Sequence, residues 1–312
     1  MKICVIGFGS IGKRHYRNLT ALGYTDVSVY DVDPKRIDVA AAQVKRLDQK
    51  TLAQFDVVCI CNPNDAHIPT AIAAAKAGCH LFIEKPLSHQ LKGLAELKRW
   101  VRKRKLITLV GCNMRFHPCL QFLKSYLDSG KLGKVYSIAL EFGSYLPGWR
   151  PGQDYRKNFA ARRATGGGII LDDIHEFDLL FWLNNFEKVV EHNFVYGKLS
   201  ALQIETEDTA IGAFRFKNKI LGSVRCDYLQ QAYSRNCKIV GEKGNLEWNF
   251  TRNAVVLKNK EGEQQLFAIQ NFDFNTVYIE EMKYFFSRIR RKLRTFNEID
   301  RAEVVTNYCI KK

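Results

Sequence analysis

A glycine-rich turn between a strand and a helix is the feature that most limits what this chain can fold into. The segment GFGSIG places Gly7, Gly9 and Gly12 in a GxGxxG pattern, directly after the apolar run 2–7 and at the start of the helical segment 11–22. Small residues are needed there because the backbone must turn tightly, approach a pyrophosphate and pack the helix against the strand. The helix N-terminus also offers unpaired N–H groups to an anion. The pattern therefore predicts a dinucleotide-binding turn.

The residues around this turn indicate which dinucleotide binds. Asp31 ends the second predicted strand, at the distance from the turn where a carboxylate holds the ribose hydroxyls of NAD. Its charge would repel the 2′-phosphate of NADP, so we expect NAD; Lys35 and Arg36 follow closely and leave NADP as the alternative. Ser10 and Ile11, inside the turn, are expected to contribute further cofactor contacts.

Apolar strand-like runs alternate with helical stretches over the first third of the chain. Repeated strand, helix, strand order predicts a parallel, doubly wound α/β sheet with right-handed crossovers, a Rossmann fold. The predicted strands are 2–7, 26–31, 55–62, 80–86 and 106–113, and the predicted helices are 11–22, 66–78 and 90–104.

The pattern changes after about residue 118. Long alternating runs such as 208–216 and 220–229 are typical of antiparallel strands that have one face covered by helices. We therefore predict two domains, a Rossmann domain at 1–118 and, at 119–312, a second α/β domain with an open, largely antiparallel sheet. Other predicted elements are helices at 118–129, 276–294 and 298–310 and a strand at 134–145.

Composition excludes several classes of protein. With 46% hydrophobic and 26% charged residues, the chain is typical of a globular protein. No run of about 18 uncharged apolar residues occurs, so we expect no membrane insertion. The nine cysteines show no CxxC pair and no zinc-ligand spacing, so we expect no metal site. Their odd number, and a start without convincing signal-peptide features, favour a reducing cytoplasm.

The formal net charge of +16 predicts attraction to anionic partners. Two basic clusters, 98–105 and 288–294, contribute heavily to it. We interpret both clusters as solvated helix faces or helix ends; RNA, an anionic membrane surface or a phosphorylated substrate are the alternatives. No nucleic-acid partner is expected.

The segment GGGIILDDIHEFD, 166–178, combines three glycines with an apolar stretch that carries five polar or ionisable side chains. Burying such groups costs several kcal/mol unless each has a partner. On a continuous helix, at about 100° per residue, Asp172, His175 and Asp178 lie on one side, each about 60° from the next. Neighbouring carboxylates would fix the tautomer of His175 and make it a proton carrier.

Other interpretations of this segment remain open. His175 could be a core histidine that Asp178 satisfies, with no catalytic role. Asp173 and Glu176 point elsewhere on the helix and are expected to be structural, as helix-start acids or as partners of basic neighbours such as Arg162 and Arg163.

Several motifs, in this order, resemble the Gfo/Idh/MocA family, the glucose-fructose oxidoreductase and inositol dehydrogenase type of NAD(P)-dependent enzymes. The resemblance spans nearly the whole chain. The motifs are VIGFGSIGKRH (5–15), CNPNDAH (61–67), EKPLS (84–88), GCNMRFHP (111–118), GGGIILDDIHEFD (166–178), EDTAIGAFRF (207–216) and IVGEKGNLE (239–247).

The resemblance implies catalytic roles for three residues. Lys85, the lysine of EKP, would lie beside the reacting hydroxyl, and the Lys85–Pro86 bond would be cis. His175 would be the histidine that follows the glycine triplet, with Asp172 as its acidic companion. Two residues separate Asp172 from His175 where three are common in the family, so Asp173 remains an alternative to Asp172.

The resemblance also implies binding residues. Asn62 and Pro63 would line the nicotinamide side with Glu84 and Lys85, and His67 would either join them or cap the following helix. Arg115 and Arg156 could grip a phosphate or carboxylate bidentately, with a structural salt bridge as the alternative. The expected substrate contacts are Asn113, Arg115, Tyr155, Arg156, Asp172 and His175.

The expected activity is NAD(P)-dependent hydride transfer at a carbinol carbon of a sugar, amino sugar or nucleotide sugar, with a cyclitol also possible. The segment PGQDYRKNFAARRATGGGIILDDIHEFD (151–178) also resembles the family branch encoded with bacterial surface-polysaccharide genes, which implies amino sugars or nucleotide-linked sugars. The second domain would bind substrate and form a homodimer or homotetramer through its sheet. The alternative is a non-catalytic NAD or nucleotide-sugar sensor whose basic surface meets RNA or membrane.

Overall fold

A computed structural model describes residues 1–150 and 152–310 and divides the chain into two compact units. The first unit contains residues 1–113 and 275–310, and the second contains residues 114–274. The predicted boundary at residue 118 is therefore close to the observed one, but the prediction placed the C-terminal residues in the second domain. They belong to the first unit instead.

The first unit is built on a six-stranded parallel sheet with strand order β3-β2-β1-β4-β5-β6. This order is that of a dinucleotide-binding Rossmann sheet, as predicted. Its central strands are buried on both faces and consist of apolar, largely β-branched residues. The strands are β1 (Ile3–Ile6), β2 (Val27–Tyr30), β3 (Ala42–Gln43), β4 (Val57–Ile60), β5 (His80–Glu84) and β6 (Thr108–Gly111).

Helices connect these strands and cover the sheet. Leu19 packs against one side of the sheet, and Ala74 and Leu97 lie in the apolar cluster of the other side. The basic cluster 98–105 forms the second half of the helix Leu94–Arg104 and its C-cap, and Lys98 and Arg102 contact Asp300, as expected of a solvated helix face. The helices are α1 (Ser10–Ala21), α2 (Gln49–Leu52), α3 (His67–Ala77) and α4 (Leu94–Arg104).

The second unit contains an eight-stranded sheet with order β14-β13-β12-β11-β7-β10-β9-β8. Among the described strands of this second sheet, only the β7–β10 pair is parallel, so the prediction of a largely antiparallel sheet is confirmed. The strands are β7 (Val135–Gly143), β8 (Val189–Gly197), β9 (Thr209–Phe216), β10 (Leu221–Asp227), β11 (Ser234–Gly241), β12 (Gly244–Asn249), β13 (Ala254–Asn259) and β14 (Gly262–Ala268).

One face of this sheet is covered by helices. Side chains alternate between buried and exposed along β9, as expected for a sheet with one covered face. Phe177 and Leu180 lie so close to Gly212 and Gly222 that a Cβ atom there would approach their side chains to 3.0 and 2.8 Å. The helices of this unit are α5 (Pro118–Asp128), α6 (Ile169–Asp172) and α7 (Ile174–Leu183).

Two C-terminal helices, α8 (Asn275–Arg290) and α9 (Ile299–Ile310), return to the first unit. Met282 and Phe285 of α8 enter the apolar cluster that contains Leu19, and Ile299 and Ala302 of α9 enter the cluster on the other side of the sheet. These buried contacts explain why the C-terminal residues do not belong to the second unit.

All nine cysteines lie in buried positions within the described residues and none of them forms a disulfide bond, as expected from their apolar sequence contexts. Within residues 1–150 and 152–310, no helix combines the length and the apolar character needed to cross a membrane. The same part of the chain brings together no group of three or more His, Cys, Asp or Glu side chains suited to a metal ion.

Candidate active site

The glycine turn between β1 and α1 is shaped by close backbone approach. Gly7 has a φ of +92°, and a Cβ atom there would lie 2.4 Å from the backbone nitrogen of Asn62. A Cβ atom at Gly12 would lie 1.9 Å from the carbonyl oxygen of Gly7. At Gly9, by contrast, a Cβ atom would meet no heavy atom within 4 Å. Only glycine therefore fits at the two crowded positions, and the turn has open space beside Gly9.

The start of α1 suits a pyrophosphate. Gly9 is the N-cap residue, no side chain caps the helix, and the first turn carries no acidic residue. Ser10 and Ile11 form that first turn, whose backbone N–H groups and positive helix end attract an anion. Open space beside Gly9 and an uncapped helix start together fit the diphosphate of a dinucleotide.

Asp31 lies just beyond the carboxyl end of β2 and is 8% exposed. Its carboxylate accepts hydrogen bonds from the backbone nitrogens of Phe8, at 2.6 Å, and Asp33, at 2.9 Å. The carboxylate is thus fixed against the glycine turn. Lys35 and Arg36 were the reason to keep NADP as an alternative cofactor. Arg36 lies 3.7 Å from the Asp33 carboxylate, so an acidic side chain already faces one of these two basic residues. The local charge fits a ribose with free hydroxyls better than a 2′-phosphate.

Lys85 follows β5 at the carboxyl edge of the same sheet and is half-buried. The Lys85–Pro86 bond is cis, as the resemblance implied. The buried Glu84 carboxylate lies 2.5 Å from Nε2 of His15 on α1 and also accepts a hydrogen bond from the backbone nitrogen of Lys85. Glu84 therefore connects the lysine loop to the cofactor helix.

His67 joins two loops at the carboxyl edge of the sheet, and its predicted place on the nicotinamide side of the cofactor stays a prediction. Its Nδ1 lies 2.8 Å from the carbonyl oxygen of Pro86, and its Nε2 lies 2.9 Å from that of Asn62. Helix α3 has Ala66 as its N-cap and no side-chain cap, so the prediction that His67 caps the helix is wrong. Burial lowers the pKa of His67 below its usual value. The ring joins the loops that follow β4 and β5, and Pro63, next to Asn62 in the first of these loops, is exposed.

Two further polar side chains belong to this unit. The Asn62 amide donates to Oγ1 of Thr70 at 2.9 Å, which orients the loop after β4. Asn113, 3% exposed, hydrogen-bonds Tyr278 of α8. Burial and the nearby Glu84 carboxylate raise the pKa of Tyr278 to about 12, so its hydroxyl stays protonated at neutral pH.

In the second unit, the segment 166–178 does not form one helix. Helix α6 ends at Asp172 and α7 begins at Ile174, because Asp173 has φ −105° and ψ 42°. The predicted 60° separation of Asp172 and His175 on a continuous helix is therefore wrong. Gly168, with φ +104°, precedes α6, and a Cβ atom there would lie 2.5 Å from the Glu207 carboxylate.

Asp178 does not join the predicted constellation with His175. Its carboxylate accepts from Nε of Arg115 at 2.7 Å and from Nη2 at 2.5 Å, and both side chains are nearly inaccessible to solvent. Arg115 is 1% exposed. The bidentate pair is therefore structural, and the prediction that Arg115 grips a substrate phosphate or carboxylate is wrong.

Asp173 and Glu176 are structural, as expected, but their partner is not Arg162 or Arg163. Arg235 on β11 binds Asp173 at 2.5 Å and Glu176 at 2.7 Å. Burial disfavours the charge of Arg235, yet the two carboxylates outweigh it and raise the pKa of the guanidinium. This interaction fixes Asp173 at the break between α6 and α7.

Asp172 and His175 remain as the candidate pair. Tyr228, directly after β10, donates its hydroxyl to Asp172 at 3.1 Å. Burial and the Asp172 carboxylate raise the pKa of Tyr228 well above its usual value, so the hydroxyl remains a donor. His175 lies in the first turn of α7 and is 9% exposed.

Tyr155 and Arg156 lie in a short 3₁₀ helix, Tyr155–Lys157, of the second unit. Arg156 binds Asp154 at 2.7 Å, and the hydroxyl of Tyr155 accepts from the backbone nitrogen of Gln203 at 3.2 Å. The Asp154 partner makes Arg156 part of a local surface salt bridge in this state.

Comparison with known proteins decides the family. Residues 1–112 match the model of the oxidoreductase family with an NAD-binding Rossmann fold, and residues 120–247 match that of the GFO/IDH/MocA C-terminal domain. The chain belongs to the Gfo/Idh/MocA family. Its first unit is the NAD-binding unit, and the protein is an NAD(P)-dependent oxidoreductase, not a non-catalytic sensor.

Individual Gfo/Idh/MocA relatives resemble the chain along most of its length. Myo-inositol 2-dehydrogenase of Thermotoga maritima is 29% identical, with 93% of this chain and 88% of the relative covered. Levoglucosan dehydrogenase, solved in complex with NADH and levoglucosan, superposes with a TM-score of 0.85 at 19% identity, covering 99% of this chain and 95% of that one. UDP-N-acetylglucosamine 3-dehydrogenase from Acidithiobacillus ferrooxidans superposes with a TM-score of 0.81 at 20% identity, covering 100% and 96%. The last two likenesses show the shared fold.

Three side chains of this Gfo/Idh/MocA member were not predicted to contribute: His15, Tyr228 and Arg235. Arg235, Cys237 and Ile239 alternate along β11 and all lie on its buried face. A buried guanidinium requires an acidic partner. His15 lies on the buried face of α1 together with Leu19. His15 and Arg235 therefore carried a detectable signal, a polar residue on an apolar face, but their partners are distant in sequence.

Proposed function

We propose that this Gfo/Idh/MocA family member interconverts a secondary hydroxyl and a ketone on a sugar, amino sugar or nucleotide sugar, with NAD as its cofactor. Bound NAD would accept a hydride from the carbinol carbon. The names of the relatives support this substrate class, since they include an inositol dehydrogenase, a levoglucosan dehydrogenase and a nucleotide-sugar dehydrogenase. A cyclitol is a further candidate substrate, because the first of these relatives is named as a myo-inositol 2-dehydrogenase.

The observation that carries the proposal lies within the first unit. The glycine turn, open at Gly9, and Lys85 both follow strands at the carboxyl edge of one parallel sheet. Ligands bind at this edge in open α/β folds. A half-buried lysine there would meet a substrate hydroxyl next to the cofactor and accept its proton as the hydride leaves.

His175 is the second candidate for the proton. Asp172, oriented by the Tyr228 hydroxyl, would bind a substrate hydroxyl or support the imidazolium form of His175. Asn113, Tyr155 and Arg156 would complete the substrate contacts. Asn62, Pro63 and Glu84 would lie on the cofactor side.

The proposal is tested by titrating the purified protein with NAD and NADP and then following nicotinamide absorbance with a substrate panel. The panel contains inositols, anhydrosugars, amino sugars and UDP-linked sugars. We expect NAD to bind more tightly than NADP, because Asp31 disfavours a 2′-phosphate. Reduction of NAD by at least one panel member supports the proposal. Tight NAD binding without turnover on any member would contradict the substrate class.

We also infer that the protein forms a homodimer or homotetramer through the open face of the second unit's sheet. Val195 and Ile211 are directly opposed on β8 and β9 and are 67% and 47% exposed. Leu221 on β10 is 54% exposed, and the same region contains a cavity of about 410 Å³ lined by residues such as Ala139 and Ala213. Exposed apolar patches of this kind mark association surfaces.

Replacing Ile211 by glutamate should reduce the mass in light scattering towards that of one chain, because the charge would be desolvated in the interface. Val304→Glu is the matched control, since Val304 is an exposed apolar residue, 40% accessible, on α9 of the first unit. An assembled Ile211→Glu protein would contradict this surface as the interface.

A further inference from the structure

Both neighbours of Lys85 are held by buried histidines. His15 is 0% exposed, and its Nε2 lies 2.5 Å from Oε1 of Glu84. His67 is 1% exposed, and its Nδ1 lies 2.8 Å from the carbonyl oxygen of Pro86. The lysine backbone is therefore fixed from the residue before it and from the residue after it.

The two histidines come from the two helices that follow the cofactor-side loops. His15 lies on α1, which begins directly after the glycine turn. His67 begins α3, and its second ring nitrogen lies 2.9 Å from the carbonyl oxygen of Asn62 in the loop after β4. The lysine loop is thus tied to both segments that would line the nicotinamide side.

The His15 ring is itself fixed. Phe82 and Tyr278 contact it edge-on, with ring centroids at 5.0 and 5.9 Å. Nε2 of His15 lies within hydrogen-bond distance of one carboxyl oxygen of Glu84. The other oxygen of Glu84 accepts the backbone N–H of Lys85. A rigid chain of contacts therefore runs from the cofactor helix to the lysine backbone.

We propose that His15 and His67 are positioning residues that set where the Lys85 amine meets the substrate hydroxyl. This inference rests on the proposed function, because it takes Lys85 as the group that accepts the proton. A lysine side chain has four flexible bonds, so its amine is placed accurately only when its backbone is fixed. A misplacement of about 1 Å at a reacting group costs on the order of 10²-fold in rate.

The test combines each histidine substitution with Lys85→Ala. His15→Leu and His67→Leu should each lower kcat on the order of 10- to 100-fold, with the Kd for NAD close to wild type. His15→Gln should recover most of the rate, because a side-chain amide can also hydrogen-bond the Glu84 carboxyl group. In the Lys85→Ala background the same leucine substitutions should cause little further loss, since the group they position is gone.

His80→Leu is the matched control. His80 lies at the opposite end of β5 and accepts a hydrogen bond from the backbone nitrogen of Ile107, so its loss disturbs the same strand away from Lys85. We expect His80→Leu to keep the wild-type kcat. If a leucine variant does not fold, His15→Gln and His67→Gln are combined with Lys85→Ala in the same way. We expect smaller decreases in kcat, and these decreases should again disappear in the Lys85→Ala background.

Two outcomes would overturn the proposal. One is an equal rate loss with and without Lys85, which would indicate a general structural role for the histidines. The other is weaker NAD binding at unchanged kcat. Both leave the proposed function intact, whereas absence of NAD-linked turnover in the wild-type protein would contradict the proposed function itself.

Discussion

Lys85→Ala is expected to lower kcat by on the order of 10²- to 10⁴-fold, the range of a lost general acid or base. The Kd for NAD should change little, because the glycine turn and Asp31 do not depend on the lysine amine. Steady-state kinetics with the best substrate of the panel, together with an NAD titration, measures both quantities. Lys92→Ala, at an exposed lysine shortly after the same loop, should keep wild-type turnover.

His175→Ala provides the comparison that separates the two candidate proton carriers. If kcat falls more in Lys85→Ala than in His175→Ala, Lys85 is the residue that accepts the hydroxyl proton. The opposite order would indicate that His175 accepts it. Wild-type turnover in both variants would contradict the catalytic roles proposed for these residues.

Breaking the buried pair between Arg115 and Asp178 should destabilise the protein by about 3–5 kcal/mol. Both side chains are almost fully buried, so Arg115→Met leaves a carboxylate without its bidentate partner and Asp178→Leu leaves a buried guanidinium. Urea-induced unfolding of each variant measures the loss. The double variant should be more stable than the sum of the two single losses predicts, because it buries no isolated charge.

The control is an exposed pair in the same unit. Lys238 lies 3.4 Å from Glu247 and is 53% exposed, so Lys238→Met should cost less than about 1 kcal/mol. A loss of this small size for Arg115→Met would contradict the interpretation of the Arg115–Asp178 pair as a structural element.

Local sequence patterns were sufficient to predict the architecture. Alternating apolar runs and helices give the parallel sheet, because each strand and its crossover helix are specified by neighbouring residues. The glycine turn and Asp31 could be assigned for the same reason, since the geometry of the turn depends on the residues within it. The alternation of β9 and β10 similarly predicts a sheet with one covered face.

Long-range partners could not be predicted. Arg235 binds Asp173 from 62 residues away and lies at the point where α6 and α7 separate, which a helical projection of 166–178 cannot reveal. Arg115 likewise binds Asp178, which is 63 residues away in sequence. The sequence alone could therefore not decide whether Arg115 binds a ligand or forms a structural salt bridge. The return of α8 and α9 to the first unit depends on buried contacts with apolar residues that are distant in sequence.

The most direct test of the central claim follows a single hydrogen atom. The substrate identified by the panel is prepared with deuterium on the carbinol carbon and incubated with the protein and NAD. If the protein transfers hydride from that carbon to nicotinamide, mass spectrometry will show one deuterium in the reduced cofactor, and Lys85→Ala will slow its appearance. Reduced cofactor without deuterium, or substrate conversion with unchanged NAD and deuterium lost to water, would contradict hydride transfer as the function of this protein.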